Sequence, residues 1–220
     1  MNWAEKIMTH KELPVAYIKF YAVGLVIFMV PFTRPLFVHI IALSLLLVIF
    51  TVFYMEKNWN GKLIWVLTAI AVSSFFIEMT GVNGGEIFGE YKYGQGLGVK
   101  VNGTPLIIGI NWAFLSYAAH DIASRVVRSK MVVIILGAVL MIIYDLIMEW
   151  VAPLMNMWSF ETGYPPFRNF TAWFLFSLIF ISLFELFRIK SDNRSARVLF
   201  IMQQIFFVII GIYGAIFIRG

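Results

Sequence analysis

A chain of 220 residues with 61% hydrophobic and 13% charged side chains, and a mean hydropathy of +0.86, lies far from the soluble average of roughly 45–50% and about 25%. That composition excludes an ordinary soluble domain; spans of about 20 residues would use most of the length, so residues 1–220 are expected to form a single integral membrane domain. The net charge of +5 belongs at helix ends facing anionic lipid rather than on nucleic acid, and the absence of cysteine excludes disulfides, thiolate metal sites and a cysteine nucleophile.

The stretch Met1 to Leu13 carries Lys6, His10 and Lys11 without a small-residue cleavage site, so it does not read as a removed signal peptide. Seven apolar runs follow: Ala16 to Val30, Leu36 to Met55, Leu63 to Thr80, Pro105 to Ile122, Met131 to Trp150, Phe170 to Phe187 and Val198 to Ile218. Backbone groups in lipid must bond within their own segment, so these runs predict helices, and the fold class is an all-α polytopic bundle of about seven transmembrane helices. The first run is the shortest. No internal repeat is evident.

Orientation follows from the basic residues. On one side stand Lys6, Lys11, Lys19, Lys57, Lys62, Arg125, Arg128, Lys130, Arg188, Lys190, Arg194 and Arg197; on the other stand Arg34, Lys92, Lys100, Arg168 and Arg219. The excess places the N-terminus in the cytoplasm and the protein in the cell membrane. Two non-cytoplasmic connections are long and rich: Gly81 to Thr104, with Glu86, Glu90, Tyr91 and Tyr93, and Val151 to Asn169, with Trp158, Pro165, Pro166 and Arg168. Long loops on one face suggest a site there.

Acidic groups inside spans are costly and face the bundle interior, which singles out Glu78, Asp145 and Glu149, all in the non-cytoplasmic half. Asp145 and Glu149 are four residues apart on one helix face, where two ionised carboxylates would repel, so one is expected to hold a proton. Such a group suits acid catalysis. Asn111 and Trp112 are two turns into the fourth helix from the same side, within reach of the same cavity. Arg168 and Asn169 stand before the sixth helix, positioned to cap it or to pair with the carboxylates. Candidates for substrate contact are Glu86, Tyr91, Tyr93, Asn111, Trp112, Trp158, Arg168 and Asn169. Ordinary alternatives are helix–helix packing for Asn111 and Trp112 and an interfacial aromatic belt for the tyrosines and Trp158.

His120-Asp121 falls at the cytoplasmic end of its helix and reads as interfacial. With only His10, His39 and His120 and no HxxxH or HxxHH pattern, a histidine-box di-iron enzyme is excluded. The seventh helix has no lysine for a retinal Schiff base, and P-loop, GxSxG and HExxH motifs are missing. No metal and no cofactor are expected.

The segment Glu78-Met-Thr-Gly, then Gly89-Glu-Tyr-Lys-Tyr-Gly, Leu97-Gly, Pro105-Leu and Asn111-Trp, resembles the membrane carotenoid-biosynthesis family that includes the carotenoid 1,2-hydratases and bisanhydrobacterioruberin hydratase. Asp145-Leu-Ile-Met-Glu-Trp-Val-Ala-Pro, Met157-Trp-Ser-Phe and Pro165-Pro-Phe-Arg-Asn-Phe-Thr-Ala-Trp are similar to that family's D-x-x-x-[DE]-P-V-A, W-x-W and P-x-x-N-F-x-G-W patterns. The resemblance runs from about Phe75 to Trp173, with Trp150, Phe160 and Ala172 as departures from proline, tryptophan and glycine. It implies an acyclic carotenoid substrate and addition of water to its terminal isoprenoid double bond, with water and membrane lipid as the other partners. The residues agree: protonating a trisubstituted alkene needs an acid but no redox cofactor, and the Asp145/Glu149 pair with Glu78 supplies carboxyl groups. The aromatic faces of Trp112, Tyr91 and Tyr93 are suited to stabilising a cation.

Three other readings use the same residues. A membrane lycopene cyclase also protonates an isoprenoid alkene, although its acidic pairs beside proline have no counterpart here. A proton-coupled transporter would use intramembrane carboxylates, but no inverted repeat is visible and the polar residues gather near one face. A pigment scaffold would need no chemistry at all. The sequence leaves oligomeric state open.

Overall fold

The computed structural model describes residues 12–218 and forms an all-α helix bundle. Lys6, His10, Lys11 and Arg219, which enter the expectations above, lie outside the described residues. Seven helices follow in chain order: α1 (Leu13–Met29), α2 (Arg34–Tyr54), α3 (Gly61–Gly84), α4 (Ile107–Val126), α5 (Lys130–Val151), α6 (Phe167–Leu186) and α7 (Arg194–Phe217). Each covers one of the apolar runs, extended or trimmed by a few residues at its ends. Local chemistry explains several starts. Pro14 and Pro35 occupy first-turn positions, where a missing N–H costs nothing. Asn60 and Asn193 cap α3 and α7 by accepting from Leu63 N at 3.0 Å and Ala196 N at 3.1 Å.

Five helices, α2, α3, α5, α6 and α7, are long and apolar enough to cross a membrane, and α1 is a shorter apolar helix. The chain is a membrane protein. Helix α4 differs for a physical reason: it packs against α2, α3, α5, α6 and α7, and fourteen of its twenty residues are buried. Surrounded by protein rather than lipid, it can carry Asn111, Ser116, His120 and Asp121 where a lipid-facing helix could not. Lipid-facing positions elsewhere stay apolar, such as Leu43 on α2 and Leu146 on α5.

The loops add what helix periodicity could not predict, two small antiparallel strand pairs. Strand β1 (Tyr91–Tyr93) pairs with β4 (Trp158–Phe160), in the register Tyr91 with Phe160 and Tyr93 with Trp158, while β2 (Lys100–Val101) pairs with β3 (Thr104–Pro105). The two long connections therefore fasten to each other across one end of the bundle. Gly94 permits this approach, since a Cβ there would collide with the side chain and carbonyl of Asn156, and its N–H donates to Met157 O at 2.8 Å. Trp150, a departure from the family pattern, lays its ring against Gly211 of α7, where any side chain would collide.

The opposite end is closed by a second polar knot. Arg197 Nη1 donates to Asp121 Oδ2 at 2.5 Å, and Asn193 donates its backbone N–H to the same oxygen at 3.1 Å. Asn193 Nδ2 also donates to Val52 O and to Glu56 Oε2, the latter shared with the Tyr117 hydroxyl. His120, expected at an interface, is only 1% exposed; its ring nitrogens face Ser191 Oγ at 2.9 Å and Glu185 Oε1 at 3.1 Å. The Tyr17 hydroxyl adds a tie from α1 to Thr51 of α2 and Ser195 of α7, each at 2.7 Å.

Candidate active site

Glu78, near the end of α3, is 4% exposed and accepts three hydrogen bonds. Tyr91 Oη donates to its Oε2 at 2.6 Å, Tyr93 Oη to the same oxygen at 2.9 Å, and Trp112 Nε1 to Oε1 at 3.1 Å. The tyrosines reach it because β1 folds over the helix ends; Trp112 reaches it because α3 and α4 pack side by side. Burial, followed by the charge of Glu78, pushes both phenols above their usual range, so they remain donors.

Asp145 and Glu149 share the inward face of α5, as a spacing of four requires. Between them lies the amide of Asn169, 2% exposed in the first turn of α6, whose Nδ2 donates to Asp145 Oδ2 and to Glu149 Oε1 at 3.1 Å each. Trp158 Nε1 of β4 donates to the other Glu149 oxygen at 3.0 Å. Asp145 is wholly buried, and its Oδ1 has no hydrogen-bond partner. Among the described residues, no lysine or arginine forms an ion pair with Glu78, Asp145 or Glu149. Nor do three His, Asp or Glu side chains converge as they would to hold a metal ion.

These groups surround a cavity of about 40 Å³ at the end of the bundle that the β1–β4 pair covers. Glu78, Glu149, Asn111 and Asn169 line it; Asp145 does not, standing behind Glu149 and Asn169. The remaining wall combines aliphatic side chains such as Leu97 and Met148 with a large aromatic share. Trp112 stacks on Trp173 with centroids 4.0 Å apart, Tyr91 packs on Phe160 at 5.4 Å, and Tyr93 meets Trp158 edge-on at 6.1 Å. Asn111 turns a buried Oδ1 without a partner toward this region, an acceptor left for a ligand or water.

The structure thus gathers Glu78, Tyr91, Tyr93, Asn111, Trp112, Asp145, Glu149, Trp158 and Asn169 around one cavity. It does not bring in Glu86 or Arg168, whose side chains are exposed on the surface. Arg168 and Asn169 are adjacent, and on a helix one step is a rotation of about 100°, enough to turn one outward when the other faces in. Sequence reasoning missed Trp173 as a wall of the site, although it lies four residues after Asn169 and so on the same face. Phe160, Leu97, Met157 and Tyr144 were missed as well, because loop pairing and helix packing bring them in from distant segments.

Such a site offers carboxyl oxygens without counter-ions in a buried, aromatic-rich chamber, an arrangement suited to giving a proton to an apolar substrate and sheltering the cation that results. Neither the curated proteins nor the solved structures yielded a match. Residues 35–219, most of the 220-residue chain, do match the family described as carotenoid biosynthesis protein, and the span contains every group of the cavity. The chain belongs to the carotenoid biosynthesis protein family.

Proposed function

We propose that this protein is a carotenoid 1,2-hydratase of the cell membrane, adding water to the terminal double bond of an acyclic carotenoid. The observation that carries the reading is the set of three carboxyl groups in one buried, aromatic-walled site without a cation. Like charges so close and so poorly solvated repel strongly, and the cluster relieves this by keeping a proton.

Glu78, with three donors on its two oxygens, is the member best suited to stay an anion. The proton then resides on the Asp145/Glu149 pair, and Glu149, which faces the cavity, delivers it. The proton goes to C2 of the terminal alkene, the π electrons form the new C–H bond, and a tertiary cation is left at C1. The Glu78 carboxylate and the faces of Trp112 and Tyr91 stabilise that charge. Water held by Asn111 Oδ1 attacks C1 with a lone pair and passes a proton to the Glu149 carboxylate, which restores the acid. The sum is addition of one water with no change in oxidation state and no other reagent.

The basic helix ends orient the bundle with the N-terminus in the cytoplasm and the cavity on the far side. The decisive experiment is expression in cells that accumulate lycopene or a similar acyclic carotenoid, followed by mass analysis of the extracted pigments. A gain of one or two waters is expected. An isomer of unchanged mass would indicate cyclisation, and unaltered pigment would return the chain to the transporter or scaffold readings.

A further inference from the structure

A second cavity adjoins the first. It is a cleft of about 340 Å³ between α1, α2 and α7, walled by groups such as Gly24, Phe37, Ile41 and Phe206. Its lining includes Val23, which is 59% exposed on the outer face of α1, so the cleft opens sideways toward lipid. Leu45, Met157 and Phe207 line both cavities and form the partition between them. The partition is polar at one point. Gln203 of the cleft accepts a hydrogen bond from Tyr144 Oη of the carboxyl cavity at 3.0 Å, which occupies its amide oxygen.

The cleft's length follows from the helix along it. From Phe37 to Val48 on α2 the rise is about 16 Å, roughly half of a hydrocarbon core of about 30 Å. The carboxyl cavity, at about 40 Å³, has no room for a chain of bilayer length. An apolar chain ending at Glu149 needs cover that begins at the Leu45–Met157–Phe207 partition, and the cleft begins there.

We propose that this cleft binds the polyene of the carotenoid, admitting it from the bilayer and presenting only its terminal double bond through the partition to the carboxyl groups. The assignment rests on the hydratase reading for the identity of the chain end, but the cleft is tested by binding. Gly24 is the position where the cleft is most easily filled: a Cβ there would stand 3.3 Å from Phe206 Cε2, and the rest of a leucine side chain would occupy the space beyond. Ser44 on α2 lines the opposite wall, and Leu43, 70% exposed, faces lipid next to it.

The test uses the full chain with Gly24→Leu, Ser44→Phe and, as control, Leu43→Phe, each made in cells that accumulate an acyclic C40 carotenoid. Polyene retained per folded protein is measured by absorbance after detergent purification. Water addition is measured on the long pigment and on a short acyclic terpene with the same end group. Gly24→Leu and Ser44→Phe are expected to lower both retention and long-chain turnover by about tenfold through overpacking, with short-chain turnover and melting temperature kept and Leu43→Phe unaffected. Wild-type protein that retains no polyene overturns the proposal, as do both variants retaining it fully or losing long and short turnover alike. Retained polyene with no water added to either substrate leaves the cleft standing and removes the hydratase reading.

Discussion

The bundle buries a polar cluster at each end, and the two differ in one respect that decides their use. At the end bearing most of the basic residues, Asp121 meets Arg197 at 2.5 Å and Arg125 at 3.9 Å, while Glu56 is held by Tyr117 and Asn193. At the other end Glu78, Asp145 and Glu149 are held by tyrosine, tryptophan and asparagine, with no cation in the set. A buried carboxylate with its cation is a fastener, costly to break and chemically quiet. Three carboxyl groups gathered in one site on neutral donors alone, unlike the single Glu56, repel one another and favour keeping a proton. Residue types are similar at the two ends; what the proposed reaction would use is the gathering of three carboxyl groups without arginine, against one paired aspartate at the other end.

The comparison breaks first at Glu149. Glu149→Gln keeps the shape and a hydrogen-bonding group but has no acidic proton, so product formation should fall by about 10²–10⁴-fold, the usual share of a positioned general acid. Pigment mass analysis reads the loss, with melting temperature in detergent as the control. Substantial turnover in this variant would move the acid role to Glu78 or Asp145.

Arg197→Leu tests the other end. Loss of a buried ion-pair partner commonly costs about 3–5 kcal/mol, and with Arg125 still close to Asp121 the lower figure is expected here. Thermal unfolding should show it, while turnover per folded molecule stays at the wild-type level. A fall in turnover without loss of stability would mean that this end takes part in the reaction.

Smaller effects sharpen the contrast. Asn169→Ala removes the amide shared by Asp145 and Glu149; hydrogen bonds to charged groups contribute about 1.5–3 kcal/mol, which corresponds to a roughly 10–100-fold lower rate. Tyr93→Phe takes away one of the three donors to Glu78, and two remain, so a rate reduction of about tenfold or less is expected. Rates measured on the same pigment assay should preserve that order. Lys92→Ala, at the exposed pair with Glu161 on the rim of the β1–β4 flap, should leave turnover unchanged.

Much of this was legible along the chain because the bilayer imposes simple rules. Hydrophobic runs of span length had to be helices, and each of the seven is one, to within a few residues at most ends. The spacing of Asp145 and Glu149 placed both on one face, and both point inward. Helix α4 was legible as a span as well, but its central position, with five other helices packed around it, was not legible along the chain.

The sequence by itself determined the solvent of this protein, its helices and the shared helix face of Asp145 and Glu149, since all three follow from hydropathy and helical periodicity over short stretches of chain. Only the tertiary structure decided which donors those carboxyl groups meet. The pairing of β1 with β4 brings Tyr91 and Tyr93 onto Glu78 and Trp158 onto Glu149, and helix packing stacks Trp173 on Trp112. It also turned Asn169 inward and Arg168 outward, and set Glu149 before Asp145. These outcomes join residues dozens of positions apart, and no local periodicity encodes a contact whose partner lies on another segment.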